Sequence, residues 1–271
     1  MSYSTSQSIA GPQRADGRES VAQLHRAPAL ALVLAEARAL FDLLKFRRAA
    51  AALAEQCPQG DGHKVLVLPG FLAEDWSTRP LRSFLGRLGY ETHGWGLGRN
   101  YGPREGVEDA LGQRLLELAK RSRGGVSVVG WSLGGLYARE LGRLYPNLVR
   151  QVVTLGSPFR GDHRASHAWP IFRLLNKRAA HHLTPEARAM RAQPLAMPVT
   201  SIYSQTDGVV DWRCCLIPQN ELNAHTLNVE VRAAHCALGH HLPALKVIAE
   251  QLAAAPKRSR RVKREPRKPA V

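Results

Sequence analysis

The chain has 271 residues and 44% hydrophobic residues, which indicates one globular domain with a sizeable core and argues against a disordered protein. The formal net charge is +16. Residues 257–268 (KRSRRVKREPRK) contribute +7 of it, from eight Lys or Arg and one Glu. The four cysteines have no C-x-x-C spacing and give no indication of a disulfide framework. Because no run of about 18 apolar residues occurs, we expect no membrane-spanning helix.

The chain begins with a region that differs in composition from the rest. Residues 1–26 are rich in Ser, Gln, Gly and Arg, which indicates a flexible leader. An N-terminal helical segment follows at 27–61, where apolar side chains recur at helical spacing over 28–55. This amphipathic helix either packs on its own domain or binds a surface.

From 62 to 255 the sequence alternates between strand-like and helix-like stretches. Strands are predicted at 64–68, 90–95, 126–130, 150–155, 199–203 and 227–232, and helices at about 79–88, 105–121, 133–144 and 241–254. Two of the strand runs are apolar almost throughout, as strands buried on both faces are. The alternation predicts an α/β fold, with a mostly parallel sheet and helices on both faces. Residues 161–196 interrupt the alternation, and 256–271 follow the domain as a basic, disordered tail.

A G-x-S-x-G motif stands at 130–134 (GWSLG). It follows a predicted buried strand directly and precedes an amphipathic helix directly, which is the setting of a nucleophile elbow. Such a turn holds the serine in strained backbone angles, and side chains at Gly130 or Gly134 would collide with neighbouring chain. We therefore predict that Ser132 is a nucleophile presented at the sheet edge, beside the N–H groups of a helix N-terminus.

A serine hydroxyl needs a base, and the base needs an acid to orient it. Asp207 follows the strand at 199–203 on a Thr-Asp-Gly turn, and His235 follows the strand at 227–232. Where a serine stands on such an elbow, the acid and then the histidine follow it along the chain, and this sequence has that order. We therefore predict a catalytic triad of Ser132, Asp207 and His235, with Asp211 as the alternative acid.

Other histidines fit this chemistry less well. His225 precedes its strand, and His240 and His241 start the last helix, where a structural or solvated role is expected. The pair at 181–182 matches no metal-ligand spacing, so we predict no metal and no cofactor.

An oxyanion hole requires two backbone donors near the nucleophile. One is expected to be the N–H of Leu133, and the other the N–H of Phe71, in the loop after the first predicted strand. Gly70 allows the backbone to pass close to a substrate there. Phe71, Trp95 and Trp131 are expected either to line an apolar acyl site or to belong to the core.

Taken together, these motifs resemble bacterial lipases and esterases of the α/β-hydrolase superfamily. The resemblance rests on 65–71 (VLVLPGF), 94–102 (GWGLGRNYG), the elbow, 156–159 (GSPF), 203–210 (YSQTDGVV) and 234–236 (AHC). It implies the α/β-hydrolase fold over 62–255, the same triad, and ester hydrolysis. It also implies that 161–196 form a cap or lid insert. The sequence departs from the pattern at Pro69-Gly70, where many lipases carry His-Gly.

The function predicted from these features is hydrolysis of a small-molecule or lipid carboxylic ester through an acyl-enzyme. The same triad is also compatible with acyl transfer or thioester cleavage. A third interpretation is a basic protein that binds polyanions, with a degenerate hydrolase domain. We expect weak contact of the tail with polyanions or anionic membranes and no specific nucleic-acid binding, since no aromatic residues interleave the basic ones. The expected location is the cytoplasm, with export or membrane-surface association left open.

Overall fold

The computed structural model describes residues 26–122, 124–161, 165–177, 184–223 and 225–254. Its centre is a parallel sheet of six strands in the order β2-β1-β3-β4-β5-β6. The strands are β1 (Lys64–Leu68), β2 (Glu91–Gly94), β3 (Val126–Trp131), β4 (Val149–Leu155), β5 (Val199–Tyr203) and β6 (Thr226–Glu230). Because all strands run in one direction, the loops that follow them meet at one edge, where ligands of open α/β sheets bind.

Helices cover both faces of this sheet. The helices are α1 (Leu30–Ala35), α2 (Ala39–Glu55), α3 (Arg79–Arg87), α4 (Val107–Lys120), α5 (Leu133–Leu144), α6 (Trp169–Leu175), α7 (Pro185–Ala192) and α8 (Leu242–Ala254). In β1, Val65 and Val67 pack with α2, α3 and α8, whereas Leu66 and Leu68 pack with α4 and α5. This alternation places one hydrophobic core on each side of the sheet.

The predicted fold class is confirmed. The six predicted strands are all present, and the sheet is parallel throughout rather than mostly parallel. The helix predicted over 28–55 is instead two helices, α1 and α2, joined by a 3-10 turn at Glu36–Arg38. Hydrophobic periodicity could not reveal this interruption, because the turn keeps the apolar residues at nearly helical spacing.

Three parts of the predicted organisation lie wholly or largely outside the described residues. They are the leader, apart from Arg26, the basic tail at 256–271, and residues 162–164 and 178–183 of the interval 161–196. Within the described part of that interval, α6 and α7 lie between β4 and β5. No helix in the described residues is long and apolar enough to cross a membrane.

Candidate active site

Ser132 occupies the sharp turn between β3 and α5. Its backbone angles are φ 53° and ψ −120°, a conformation that costs a non-glycine residue free energy and is typical of functional sites. The N–H of Ser132 donates to the carbonyl of Leu155 in β4, at an N–O distance of 2.7 Å. This hydrogen bond therefore anchors the turn to the neighbouring strand at the strained residue itself.

The two motif glycines are required by close backbone contacts. A Cβ at Gly134 would lie 2.7 Å from the carbonyl oxygen of Pro69, in the loop after β1. A Cβ at Gly130 would overlap the backbone of the first turn of α5. Because these neighbours are main-chain atoms, a larger residue could be accommodated only by moving the turn or the loop.

The loop after β1 passes directly beside Ser132. A Cβ at Gly70 would lie 3.4 Å from Cβ of Ser132. Phe71, Ser132 and Leu133 line the same cavity. The two N–H groups predicted as oxyanion donors therefore belong to residues that line the same cavity as the serine.

Asn100 holds this loop in place, a role that no local sequence pattern indicates. Its side-chain amide donates to the carbonyl of Pro69 at 2.9 Å, and its main-chain carbonyl accepts from Leu72 N–H at 2.7 Å. Its own N–H donates to the carbonyl of Ala73 at 2.8 Å. Asn100 is fully buried, and Leu72 has a positive φ of 61°. The 94–102 segment thus fixes the backbone that carries Phe71 N–H.

The cavity in front of Ser132 has a volume of about 290 Å³ and is mainly apolar. Its walls come from the loop after β1, from α5, from the region between β4 and β5, and from Pro103, Glu108 and Val210 outside those segments. The apolar lining residues are Phe71, Pro103, Leu133, Leu136, Pro158, Phe159, Ala168, Trp169, Phe172, Met190 and Val210. Phe71 packs on Phe172 of α6 with ring centroids 5.4 Å apart. The site can hold an apolar group next to the serine hydroxyl.

Of the three aromatic residues that the sequence left open, only Phe71 lines this cavity. Trp95 is buried in the core with α4 and α5. Trp131 packs against the opposite core, and its indole N–H donates to the carbonyl of His235 at 3.1 Å. Both tryptophans therefore support the framework around the site.

His235 and Asp207 form a buried pair at the carboxyl ends of β6 and β5. Nδ1 of His235 lies 2.6 Å from Oδ2 of Asp207. The other carboxylate oxygen, Oδ1, accepts from the N–H groups of Val209 and Val210, both at 2.8 Å. The carboxylate is thus oriented by the backbone on one side and holds the imidazole on the other.

Gly156 connects this pair to the serine turn. It follows Leu155, whose carbonyl accepts from Ser132, and a Cβ at Gly156 would lie 3.1 Å from both Asp207 Oδ2 and His235 Nδ1. Gly156 therefore lies against the His235–Asp207 pair and directly follows the residue that anchors the Ser132 turn.

The alternative acid, Asp211, has a different set of contacts. Its Oδ1 accepts from the N–H of Arg213 at 3.0 Å and caps the 3-10 turn Trp212–Cys215. His240 is bonded to the carbonyl of Ala39 at 3.0 Å. Residues 181–182 lie outside the described residues. Among the residues that the structure describes, no three His, Cys, Asp or Glu side chains form a cluster that could hold a metal ion.

Glu36, in the turn between α1 and α2, is a site residue that sequence reasoning missed. Its Oε1 accepts from the N–H groups of Gly208 and His235, both at 2.8 Å, and its Oε2 accepts from Cys236 N–H at 2.9 Å. Gly208 adjoins Asp207, so one carboxylate joins the acid loop to the histidine loop. In the sequence, Glu36 is simply one polar position of an amphipathic helix, which carries no signal of this contact.

These contacts set the protonation of His235. Burial lowers its pKa, but the charge and hydrogen bond of Asp207, together with the charge of Glu36, more than offset burial and raise the pKa above the ordinary value. The surroundings thus stabilise an imidazolium, which is the form that a general base takes after it accepts a proton.

The comparison with protein families agrees with this geometry. Residues 65–267 match the model of the alpha/beta hydrolase family. Since the match covers most of the chain, the protein belongs to the α/β-hydrolase family. The sequence matches none of the curated proteins with which it was compared.

Solved structures with a similar fold include three lipolytic enzymes. An esterase from Pyrococcus furiosus is 16% identical, with a TM-score of 0.52 over 72% of this chain and 84% of that one. A monoacylglycerol lipase from Paleococcus ferrophilus is 11% identical, with a TM-score of 0.51 over 71% and 96%. A metagenome-derived lipolytic enzyme is 16% identical, with a TM-score of 0.51 over 67% and 88%. At these identities the similarity concerns the fold alone.

The close contact at Gly134 predicts that a single methyl group added there destabilises the protein. We expect Gly134→Ala to lower the free energy of unfolding by about 1–3 kcal/mol, the usual cost of overpacking. The matched control is Gly86→Ala in α3, where a Cβ would meet nothing within 4 Å. That change should raise stability by about 0.5–1 kcal/mol through helix propensity. Urea unfolding of both variants checks the pair, and equal effects would contradict the elbow contact.

The Glu36 contacts predict a change in the titration of His235. Glu36→Gln removes a negative charge that favours the imidazolium, so the pKa of His235 should fall and its titration should move to lower pH. The amide nitrogen would also face a backbone donor, which should cost about 1–3 kcal/mol of stability.

The control for this variant is Glu55→Gln, an exposed position at the end of α2. NMR titration of the histidine rings and urea unfolding measure both effects. If the two variants titrate alike, Glu36 does not act on His235.

Proposed function

We propose that this protein is a serine hydrolase that cleaves carboxylic esters through an acyl-enzyme, with Ser132 as nucleophile, His235 as base and Asp207 as orienting acid. The observation that carries the proposal is the strained Ser132, which lines an apolar cavity. Its N–H is bonded to Leu155, and the next residue, Gly156, lies against the buried His235–Asp207 pair. Strain of this kind persists only where the surroundings hold it, and it presents the hydroxyl to a ligand.

The roles follow from the hydrogen bonds. Because Nδ1 of His235 is bonded to Asp207, Nε2 is the nitrogen left to accept the serine proton. As Ser132 Oγ bonds to the ester carbonyl carbon, the carbonyl oxygen takes the negative charge and accepts hydrogen bonds from the N–H groups of Phe71 and Leu133.

Two half-reactions complete the turnover. When the tetrahedral species collapses, the bond to the alcohol oxygen breaks, and the proton on His235 goes to the leaving alcohol. Water then attacks the acyl-enzyme and gives its proton to His235, and the acid leaves as Ser132 Oγ recovers that proton. No cofactor is required for either half-reaction.

The cavity favours esters with an apolar acyl or alcohol group, whether small molecules or lipids. Its apolar walls include Trp169 and Phe172 of α6 and Met190 of α7. We propose that 161–196 act as the cap of this cavity, since both of its described helices contribute residues to the cavity that Ser132 lines. Membership of the α/β-hydrolase family and the fold shared with an esterase and a monoacylglycerol lipase support this class of reaction.

The first test is removal of the nucleophile. We expect Ser132→Ala to lower kcat for chromogenic esters by about 10⁴-fold or more, the scale for loss of a triad serine. A panel of esters of graded acyl length identifies the preferred acyl group in the wild type. A fluorophosphonate probe should label the wild type at Ser132 and leave the variant unlabelled. A variant that retains most of its turnover would exclude Ser132 as the nucleophile.

The second test distinguishes the two candidate acids. In Asp207→Asn, the N–H groups of Val209 and Val210 require the amide oxygen, so the amide nitrogen should face Nδ1 of His235 and impose the wrong tautomer. We expect kcat to fall by about 10⁴-fold.

Asp211→Asn is the matched control. Asn caps a helical turn about as well as Asp does, so the N–H of Arg213 keeps its acceptor. Turnover should stay close to that of the wild type. The opposite pattern, a crippled Asp211→Asn beside an active Asp207→Asn, would transfer the role to Asp211.

A further inference from the structure

The N-terminal segment exposes its apolar side chains. Between 29 and 44, every exposed position is apolar, and those with large side chains are Leu30, Leu34, Leu40, Phe41 and Leu44, while the others are alanines. Four of the five have 64–72% of their surface exposed, and Leu44 has 41%. We call these five residues the N-terminal apolar face. Large apolar side chains that are exposed and grouped in one segment in this way indicate an interaction site.

The polar residues of the same segment are turned toward the protein. Glu36 accepts the three backbone hydrogen bonds described above, and Arg38 donates to the carbonyl of Thr206 at 2.8 Å. The Asp42 side chain is only 13% exposed. This arrangement is the reverse of an ordinary surface helix, which buries its apolar stripe. The hydrogen bonds fix the orientation, so the face remains outward in the folded protein.

Basic residues flank the face on both sides. Arg26 precedes it, and Lys45, Arg47 and Arg48 follow it, all of them exposed. The whole chain carries a net charge of +16. Leucine and phenylalanine flanked by Lys and Arg is the composition of helices that lie in a lipid interface, where apolar groups enter the acyl region and cations meet anionic headgroups.

We propose that the N-terminal apolar face docks the protein on an anionic lipid surface. The position of the cavity agrees with this. Nε2 of His167 is bonded to the carbonyl of Pro28 at 2.8 Å, which ties the start of the segment to the loop leading into α6. Helix α6 lines the cavity with Trp169 and Phe172 and exposes Ile171 and Leu174. Docking through the N-terminal segment therefore brings the cavity wall close to the lipid.

The test is co-sedimentation of the full-length protein with vesicles. Wild type should bind vesicles of phosphatidylglycerol and phosphatidylcholine, bind pure phosphatidylcholine more weakly, and lose part of its binding in about 0.5 M salt. The double variant L34E/F41E should partition about tenfold less or worse, since losing the burial of even one Leu or Phe has an effect of that order.

The matched control is L116E/L144E, which adds the same two charges at exposed leucines of α4 and α5. It should bind like the wild type apart from the small loss caused by the added charge. All of these proteins should turn over a soluble ester equally, because none of the changed residues touches the site. Vesicle binding requires no turnover, so Ser132→Ala should bind as the wild type does, and failure of the proposed activity would leave this result unchanged.

Two results would overturn the proposal. One is equal vesicle binding by L34E/F41E and L116E/L144E, which would assign any lipid affinity to other basic parts of the chain. The other is a wild-type dimer that L34E/F41E converts to monomer without a change in vesicle binding. In that case the face joins two copies of the chain.

Discussion

The site depends on the close contact between the first turn of α5 and the loop that follows β1. Backbone atoms meet there without side chains between them, at Gly134 beside Pro69 and at Gly70 beside Ser132. This contact allows Phe71 and the residue after the serine to line the same cavity as the serine. It also holds Ser132 in its strained conformation, because both flanking elements are anchored in the parallel sheet. A looser junction would relax the serine and separate the two backbone donors at the same time.

The acid and histidine loops depend on a second junction, made by a part of the chain that precedes the sheet. The carboxylate of Glu36, in the turn between α1 and α2, accepts hydrogen bonds from N–H groups of both loops. Helices that precede the region matched by the family model therefore hold the His235–Asp207 pair in place. The same segment presents leucines and Phe41 outward. The inward side of this segment therefore contacts both loops, and its outward side is the surface that we propose docks on lipid.

The residue types alone do not make an active site in this protein. Ser127, His63 and Asp61 also form a hydrogen-bonded set, with Nε2 of His63 2.8 Å from Oγ of Ser127 and Asp61 held by Arg150. Ser127 lies within the regular part of β3, near the amino end of the sheet, and is fully buried. It has neither a strained turn nor a helix N-terminus beside it. Ser132 differs in its position, at the carboxyl end of the same strand and facing a cavity.

The sequence by itself determined the six strands and the helices α3, α4, α5 and α8, and it singled out Ser132, Asp207 and His235 as candidate site residues. Those features depend on local patterns, namely apolar runs of strand length, helical periodicity and turn residues directly after strands. Only the tertiary structure decided the contacts of Glu36 and Asn100 and the outward direction of the N-terminal leucines. Each of these depends on which distant backbone groups a side chain meets, for example Glu36 and His235, which are 199 residues apart. Hydrophobic periodicity predicts that a helix has an apolar side, but it does not predict which side packs against the rest of the protein. Hydrogen bonds to distant loops can turn the polar side inward, as they do here.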